Sequence, residues 1–190
     1  MSGKKRRDSI GQLNNHGFSL LELLVVMAII VIVSTITAVG LNVLAEGNAK
    51  KANKTMYSKI SELRTTTMSK SGEWYMVISC QDNTYTLETH HVANGEDDIK
   101  DTSKFSASRI SLNYYNGDSS TGYDLRNNSL KIQFNKNDGS CKSVTINDTE
   151  EFITNNLDAP QFGKIVASVS RNNTYESKLW YKTGRVTTQN

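Results

Sequence analysis

One carboxylate stands alone in a long apolar run. Glu22 is the single ionisable side chain of residues 18–45, FSLLELLVVMAIIVIVSTITAVGLNVLA. A carboxylate in hydrocarbon costs about 2.5–3.5 kcal/mol on insertion scales. Glu22 therefore needs either a cationic partner or a position near an interface to which it can snorkel. Other residues with chemical potential are few. Cys80 and Cys141 are the only cysteines. His90 and His91 are adjacent in a strand-like context, where their side chains point to opposite faces and do not readily chelate one metal ion. Glu96, Asp97, Asp98 and Asp101 form an acidic loop without EF-hand spacing, so a solvated loop is preferred to a calcium site. There is no glycine-rich phosphate loop, nucleophile elbow or zinc signature. The expectation is no catalytic residue, no metal, no cofactor and no enzyme.

The elements that hold these residues follow from length and charge. The chain has 190 residues, 22 Lys+Arg against 19 Asp+Glu, and a formal charge of +3. That length suits one modest domain with an appendage. One Pro against 12 Gly excludes collagen-like or Pro-rich stalks. Lys4, Lys5, Arg6 and Arg7 against Asp8 account for the whole positive excess. Residues 18–190 hold 18 cations and 18 acids, so the basicity of the chain is not a general nucleic-acid signal. A basic segment ahead of an apolar one has the layout of a secretory signal, but this apolar run exceeds an ordinary h-region and no small-x-small cleavage pattern follows it. As a helix, the run reaches roughly 42 Å, more than the ~30 Å hydrocarbon core. A membrane-spanning helix is expected, because a core helix of a soluble domain is rarely apolar all round for so long.

At the junction of the two segments stands His16-Gly17-Phe18-Ser19-Leu20-Leu21-Glu22-Leu23-Leu24-Val25-Val26. This order resembles the processing and assembly site of type IV prepilins and of the pseudopilins of type II secretion, over about residues 16–40. The resemblance implies that a prepilin peptidase cuts after Gly17 and that Phe18 becomes the N-methylated first residue. It also implies that Glu22 pairs with the N-terminal amine of a neighbouring subunit in a filament. The leader's cytoplasmic side is likewise implied by the resemblance, since Lys50, Lys51, Lys54 and Lys59 leave the positive-inside comparison near a draw. Main pilin subunits usually carry a proline about two-thirds along this segment. Here that place reads Thr37-Ala38-Val39-Gly40-Leu41, and Pro160 is the only proline, which favours a minor subunit.

Met56, Ile60, Leu63 and Thr67 fall on one helical face, flanked by Tyr57 and Met68. The helix is thus expected to continue over 46–70, with Gly47 as a weak point and its lysines as a solvated face, or else a contact for lipid headgroups or nucleic acid. From 71 onward, short alternating apolar runs separated by Asn, Asp and Gly indicate antiparallel strands. The predicted fold class is α+β: a long N-terminal helix, transmembrane half plus amphipathic half, packed on an antiparallel β-sheet head. The expected divisions are a leader at 1–17, a transmembrane assembly helix at 18–45, an amphipathic continuation at 46–70 and a β-rich head at 71–190. Cys80 and Cys141 sit at the ends of two predicted strands. Outside the membrane they are a candidate disulfide worth roughly 4 kcal/mol, and two free buried thiols are the alternative. Ile132-Gln133-Phe134 with Asp138-Gly139-Ser140, and Gly184-Arg185-Val186, resemble short patterns of minor pseudopilins of the H-like group.

The expected function is structural: a minor pilin or pseudopilin of a type IV pilus-like filament or a type II secretion pseudopilus. Its partners would be a prepilin peptidase, other pilin or pseudopilin subunits, and the cytoplasmic membrane with its assembly platform. The chain would begin as a single-pass membrane protein and end in an extracytoplasmic filament. The rival reading is a tip adhesin, or a competence pilin that takes up DNA, whose head binds a ligand. The head carries 12 cations against 15 acids, so DNA is a possible partner that the charge does not indicate.

Overall fold

The computed structural model describes residues 19–153, 159–170 and 173–189, with backbone alone for 36–42 and 170. Its one described helix is α1, Leu20–Ser69. Among the described residues eleven strands follow: β1 Glu73–Gln81, β2 Thr84–Ala93, β3 Glu96–Ser106, β4 Ser111–Asn116, β5 Tyr123–Asp124, β6 Leu130–Phe134, β7 Cys141–Ile146, β8 Glu150–Glu151, β9 Phe162–Ser170, β10 Asn173–Trp180 and β11 Val186–Gln189. The chain divides into two compact units, residues 1–40 and 41–190. The leader, Gly17 and Phe18, and the turn expected at Arg171-Asn172, lie outside the described residues.

In the first unit every described side chain is exposed, from Leu20 at 84% to Val33 at 56%. In the second unit α1 buries one stripe. The face expected from Met56, Ile60, Leu63 and Thr67 is buried and continues backward through Ala45, Ala49, Ala52 and Asn53. The helix runs unbroken through Gly47, where an added Cβ would meet nothing within 4 Å. The early part of the stripe is made of small side chains. There the helix also meets the sheet through a polar contact: the Ser177 hydroxyl donates to Asn53 Oδ1 at 2.6 Å, both residues being buried. A buried amide and hydroxyl that satisfy each other avoid the desolvation cost each would carry alone.

The strands form two antiparallel sheets, one in the order β3-β2-β1-β6-β7-β8 and the other in the order β11-β10-β9-β4-β5. Alternation decides which face is inside. Trp74, Met76 and Ile78 of β1 point into the core with Leu130, Ile132 and Phe134 of β6; so do Leu112 and Tyr114 of β4 with Ile165 and Ala167 of β9. Both sheets and the α1 stripe feed one cluster. A cross-sheet contact, the Leu112 N–H on the Tyr85 oxygen at 3.1 Å, ties the two together. Burial raises the pKa of Tyr114 and Tyr181, whose hydroxyls lie 2.5 Å apart.

The α+β class and the helix-on-antiparallel-strand packing are as expected, but the strands make two sheets. Glu96, Asp97, Asp98 and Asp101 are not in a loop; they lie on β3. The turn Asn94-Gly95, with both residues at positive φ (55° and 84°), folds β3 back on β2. Charged side chains suit an edge strand, because they discourage pairing with a further chain.

The Cys80–Cys141 disulfide is not made; both thiols are free. Register explains why. Ile78 faces Leu130 at one end of β6, while Cys141 faces Phe134 at the other end. Cys80 therefore sits about six residues, roughly 20 Å, from the level of Cys141 along the strand direction, where a disulfide needs Cα atoms within about 7 Å. Burial pushes the Cys141 thiol up to about 12 and raises that of Cys80.

A close crossing fixes the β6–β7 turn against the β10–β11 turn and α1. Arg64 Nε donates to the Gly139 carbonyl at 2.9 Å. A Cβ on Gly184 would sit 1.8 Å from that carbonyl oxygen and 2.9 Å from Arg64 Nε. Asp138-Gly139-Ser140 and Gly184-Arg185-Val186, far apart in sequence, thus meet at one point.

Two outcomes follow. Thiol titration of denatured, unreduced protein should give two thiols per chain, and in native protein Cys80 should be alkylated well before Cys141; fewer than two thiols would contradict the strand register. Gly184→Ala should destabilise by at least about 2 kcal/mol in urea unfolding. Gly95→Ala, at a similar positive φ but in open space, should cost clearly less; equal losses would show that the close crossing is not what requires glycine at 184.

Candidate functional site

Among the sequence-selected processing and assembly residues, Glu22 is the one the structure describes. It stands in the first turn of α1, exposed. The Ser19 hydroxyl accepts the Glu22 N–H at 3.2 Å, and the Ser19 carbonyl accepts the Leu23 N–H at 3.2 Å. Ser19 is therefore the N-cap and Glu22 the third helical residue. That is the Ser-x-x-Glu spacing of a capping box, a signal legible in the sequence and additional to the reasons given above for Glu22. A carboxylate here also lies at the positive end of the helix dipole. Glu22 forms no ion pair among the described residues.

Around this single charge the helix presents Leu20, Leu21, Leu23, Leu24, Val25 and Val26, all large and all exposed. The hydroxyls farther along are satisfied within the helix: Ser34 donates to the Ile30 carbonyl at 2.6 Å and Thr35 to the Ile32 carbonyl at 2.8 Å. Such back-bonding lets a hydroxyl sit in a dry environment without an external partner. Among the described residues, no helix is long and apolar enough to cross a membrane. The contiguous fully described part of the apolar run, residues 19–35, reaches about 26 Å as a helix against a ~30 Å core. The side chains of 36–42, which prolong the run in sequence, lie outside the described residues.

The other candidates are occupied by structural contacts. His91 stacks on Trp74 with centroids 4.2 Å apart and has Nε2 3.0 Å from the Ser71 carbonyl. His90 stacks on Tyr75 and has Nδ1 3.2 Å from Asp97 Oδ1. The Tyr75 hydroxyl donates to Asp97, which holds that carboxyl below its usual range, while burial and this contact raise the Tyr75 hydroxyl to about 12. Asp98 pairs with Lys100 at 2.9 Å, and Asp101 pairs with Lys59 of α1 at 3.0 Å. Among the described residues no three His, Cys, Asp or Glu side chains are grouped to hold a metal ion.

The start of α1 offers two things to a partner: a rod of exposed apolar side chains, and one carboxylate at its capped end. Residues 12–38 match the family model described as the prokaryotic N-terminal methylation motif, the signature of type IV prepilins and pseudopilins. The motif is that of a structural-subunit family and not of an enzyme family. No curated protein and no solved structure matches the chain.

Proposed function

We propose that the chain is a structural subunit, a minor pilin or pseudopilin, of a type IV pilus-like filament or a type II secretion pseudopilus. It is cut after Gly17 by a prepilin peptidase, N-methylated at Phe18, and assembled through its apolar helix. The observation that carries the reading is the uncovered surface of α1 from Leu20 to Val33, interrupted by Glu22 alone. Apolar area of that extent is not left in water: it resides in a membrane or is covered by copies of itself. The N-terminal methylation motif over 12–38 supports the same role.

In this reading the membrane holds the subunit by residues 18–45 until the assembly platform extracts it. Cleavage after Gly17 creates an amine on Phe18, four residues from Glu22. A subunit's own amine and Glu22 lie on the same short stretch, and in a stacked filament the amine of one subunit meets the Glu22 of the next. Removing one partner of an ion pair in a dry setting leaves an uncompensated charge, which is more costly than losing both. Glu22 thereby rewards one axial register over others, while the apolar side chains around it supply most of the contact area.

The head from 71 onward stays outside the helical bundle. The absence of proline near Thr37 to Leu41 supports a minor rather than a main subunit.

Two measurements test the proposal. Mass spectrometry of mature protein should find an N-methylated Phe18 terminus, and an intact N-terminal leader would overturn processing. Glu22→Ala protein should remain in the membrane fraction at parental levels and be depleted from sheared filaments by about tenfold or more, given a loss of at least ~1.4 kcal/mol per interface. Normal incorporation of the variant would remove Glu22 from assembly.

A further inference from the structure

The five-stranded sheet has a face turned away from the core, on which the side chains that alternate with buried Ser177 and Leu179 stand. There β9 and β10 set Trp180 opposite Phe162 and Lys178 opposite Lys164. Like charges directly opposite each other on an antiparallel pair are destabilising. Their acidic partners are loose: Glu176 lies 3.9 Å from Lys178, and Asp118, itself 86% exposed, lies 3.8 Å from Lys164. The lysines rest on rings instead. Lys178 Nζ is 4.3 Å from the Phe162 centroid and 5.7 Å from that of Trp180, and Lys164 Nζ is 5.7 Å from that of Tyr115. Two ammonium groups are thus held side by side over an aromatic floor, a setting that an anion would relieve.

The row ends in a cleft of about 410 Å³ lined by Gln161, Trp180, Lys182, Thr183 and Arg185. Trp180 is 38% exposed. The backbone beneath the cleft is fixed: the Trp180 N–H donates to the Arg185 carbonyl at 2.9 Å, the Gly184 N–H to the Trp180 carbonyl at 2.8 Å, and the Tyr181 N–H to the Gln161 carbonyl at 2.9 Å. A preformed site loses less on binding than one that must be ordered.

We propose that this cleft is a subsite for an anionic sugar unit of an acidic polysaccharide. The pyranose ring lies against the Trp180 indole, whose face accepts the ring's C–H groups. Gln161 and Thr183 hydrogen-bond its hydroxyls. Arg185 takes its carboxylate or phosphate as a two-toothed donor, with Lys178 and Lys182 adding charge. Two observations favour a sugar over single-stranded nucleic acid. A strand of bases needs a series of free rings, whereas Lys178 already covers Phe162 and Trp180 is the exposed ring of this face among the described residues. A phosphodiester chain carries a charge on every nucleotide, which the 15 acids against 12 cations of residues 71–190 oppose. A sugar polymer charged on only some of its units needs only a local positive patch. The inference stands on the head and is independent of the filament role.

The test uses the full chain in detergent micelles, titrated by calorimetry and tryptophan fluorescence with a galacturonate oligomer, a phosphorylated oligosaccharide, a neutral oligosaccharide of equal length and a single-stranded oligonucleotide. Saturable binding of one or both anionic sugars is expected, and the tighter of the two identifies the anionic group. Fluorescence should report the event through Trp180, since Trp74 is buried. Arg185→Gln should weaken binding about tenfold or more, in line with loss of a charged hydrogen bond. Trp180→Ala should weaken it more than Trp180→Phe, and Lys142→Gln, on the other sheet, should leave it unchanged. Near-UV circular dichroism identifies any variant that fails to fold, and Arg185→Gln, at an exposed position, carries the test if Trp180→Ala does. The proposal is overturned by no saturable binding of either anionic sugar, by equal binding of the neutral one, by tighter binding of the oligonucleotide, or by binding indifferent to both Arg185→Gln and Trp180→Ala.

Discussion

The stripe that α1 buries from Ala45 to Thr67 sets where the rest of the head can go. Its early half is built from small alanine side chains and its later half from Met56, Ile60 and Leu63, all buried. One ridge therefore serves as a wall shared by two sheets, and a single core cluster results. The polar contacts along it fix position more than they add stability. Asn53 with Ser177 sets the level of β10, Arg64 with Gly139 sets the β6–β7 turn, and Lys59 with Asp101 holds the edge strand β3. The exposed member of this set, the Lys59 pair, is worth little by itself; the buried pair of Asn53 and Ser177 tolerates no other register, because a slip would leave an amide and a hydroxyl unsatisfied.

The same helix is apolar all round before Ala45. Its two parts obey opposite rules: the later part hides one stripe and shows the rest, while the described side chains of the earlier part, apolar but for a few, are all exposed. Glu22 belongs to this earlier part and is stabilised locally by the Ser19 cap and the helix dipole. Those local effects are small beside what a carboxylate costs in hydrocarbon.

Much of this was legible in the sequence, and the failures have physical causes. β1, β2, β6 and β9 alternate apolar with polar residues, and each was visible because one face is core and the other solvent. The acidic start of β3, Glu96 to Asp101, has the look of a loop in sequence because it has little to bury on either face; its pairing with β2 comes from the Asn94-Gly95 turn. β5 and β8 are two residues each and leave no pattern. The division into two sheets depends on the long-range neighbours β1–β6 and β4–β9, which periodicity does not encode. The sequence leaves a disulfide and two free thiols open at Cys80 and Cys141 for a related reason: both sit at strand ends, but which ends lie together is a matter of register. The glycines of the two short H-like patterns were seen only as local signatures, while their physical role, letting two turns touch, appears only where the chain brings them together. Gly17 and Phe18, the most specific residues of the junction, rest on the sequence and on the methylation motif.

The free cysteines give the head a particular mechanical character. Without a covalent cross-link, no loop of the chain is shortened by a staple. Drawn out by force, residues 71–190 can lengthen to roughly 400 Å, at about 3.3–3.6 Å per residue. Resistance to pulling then comes from packing and from the hydrogen-bonded ladders, with no covalent limit on extension short of the chain's own length.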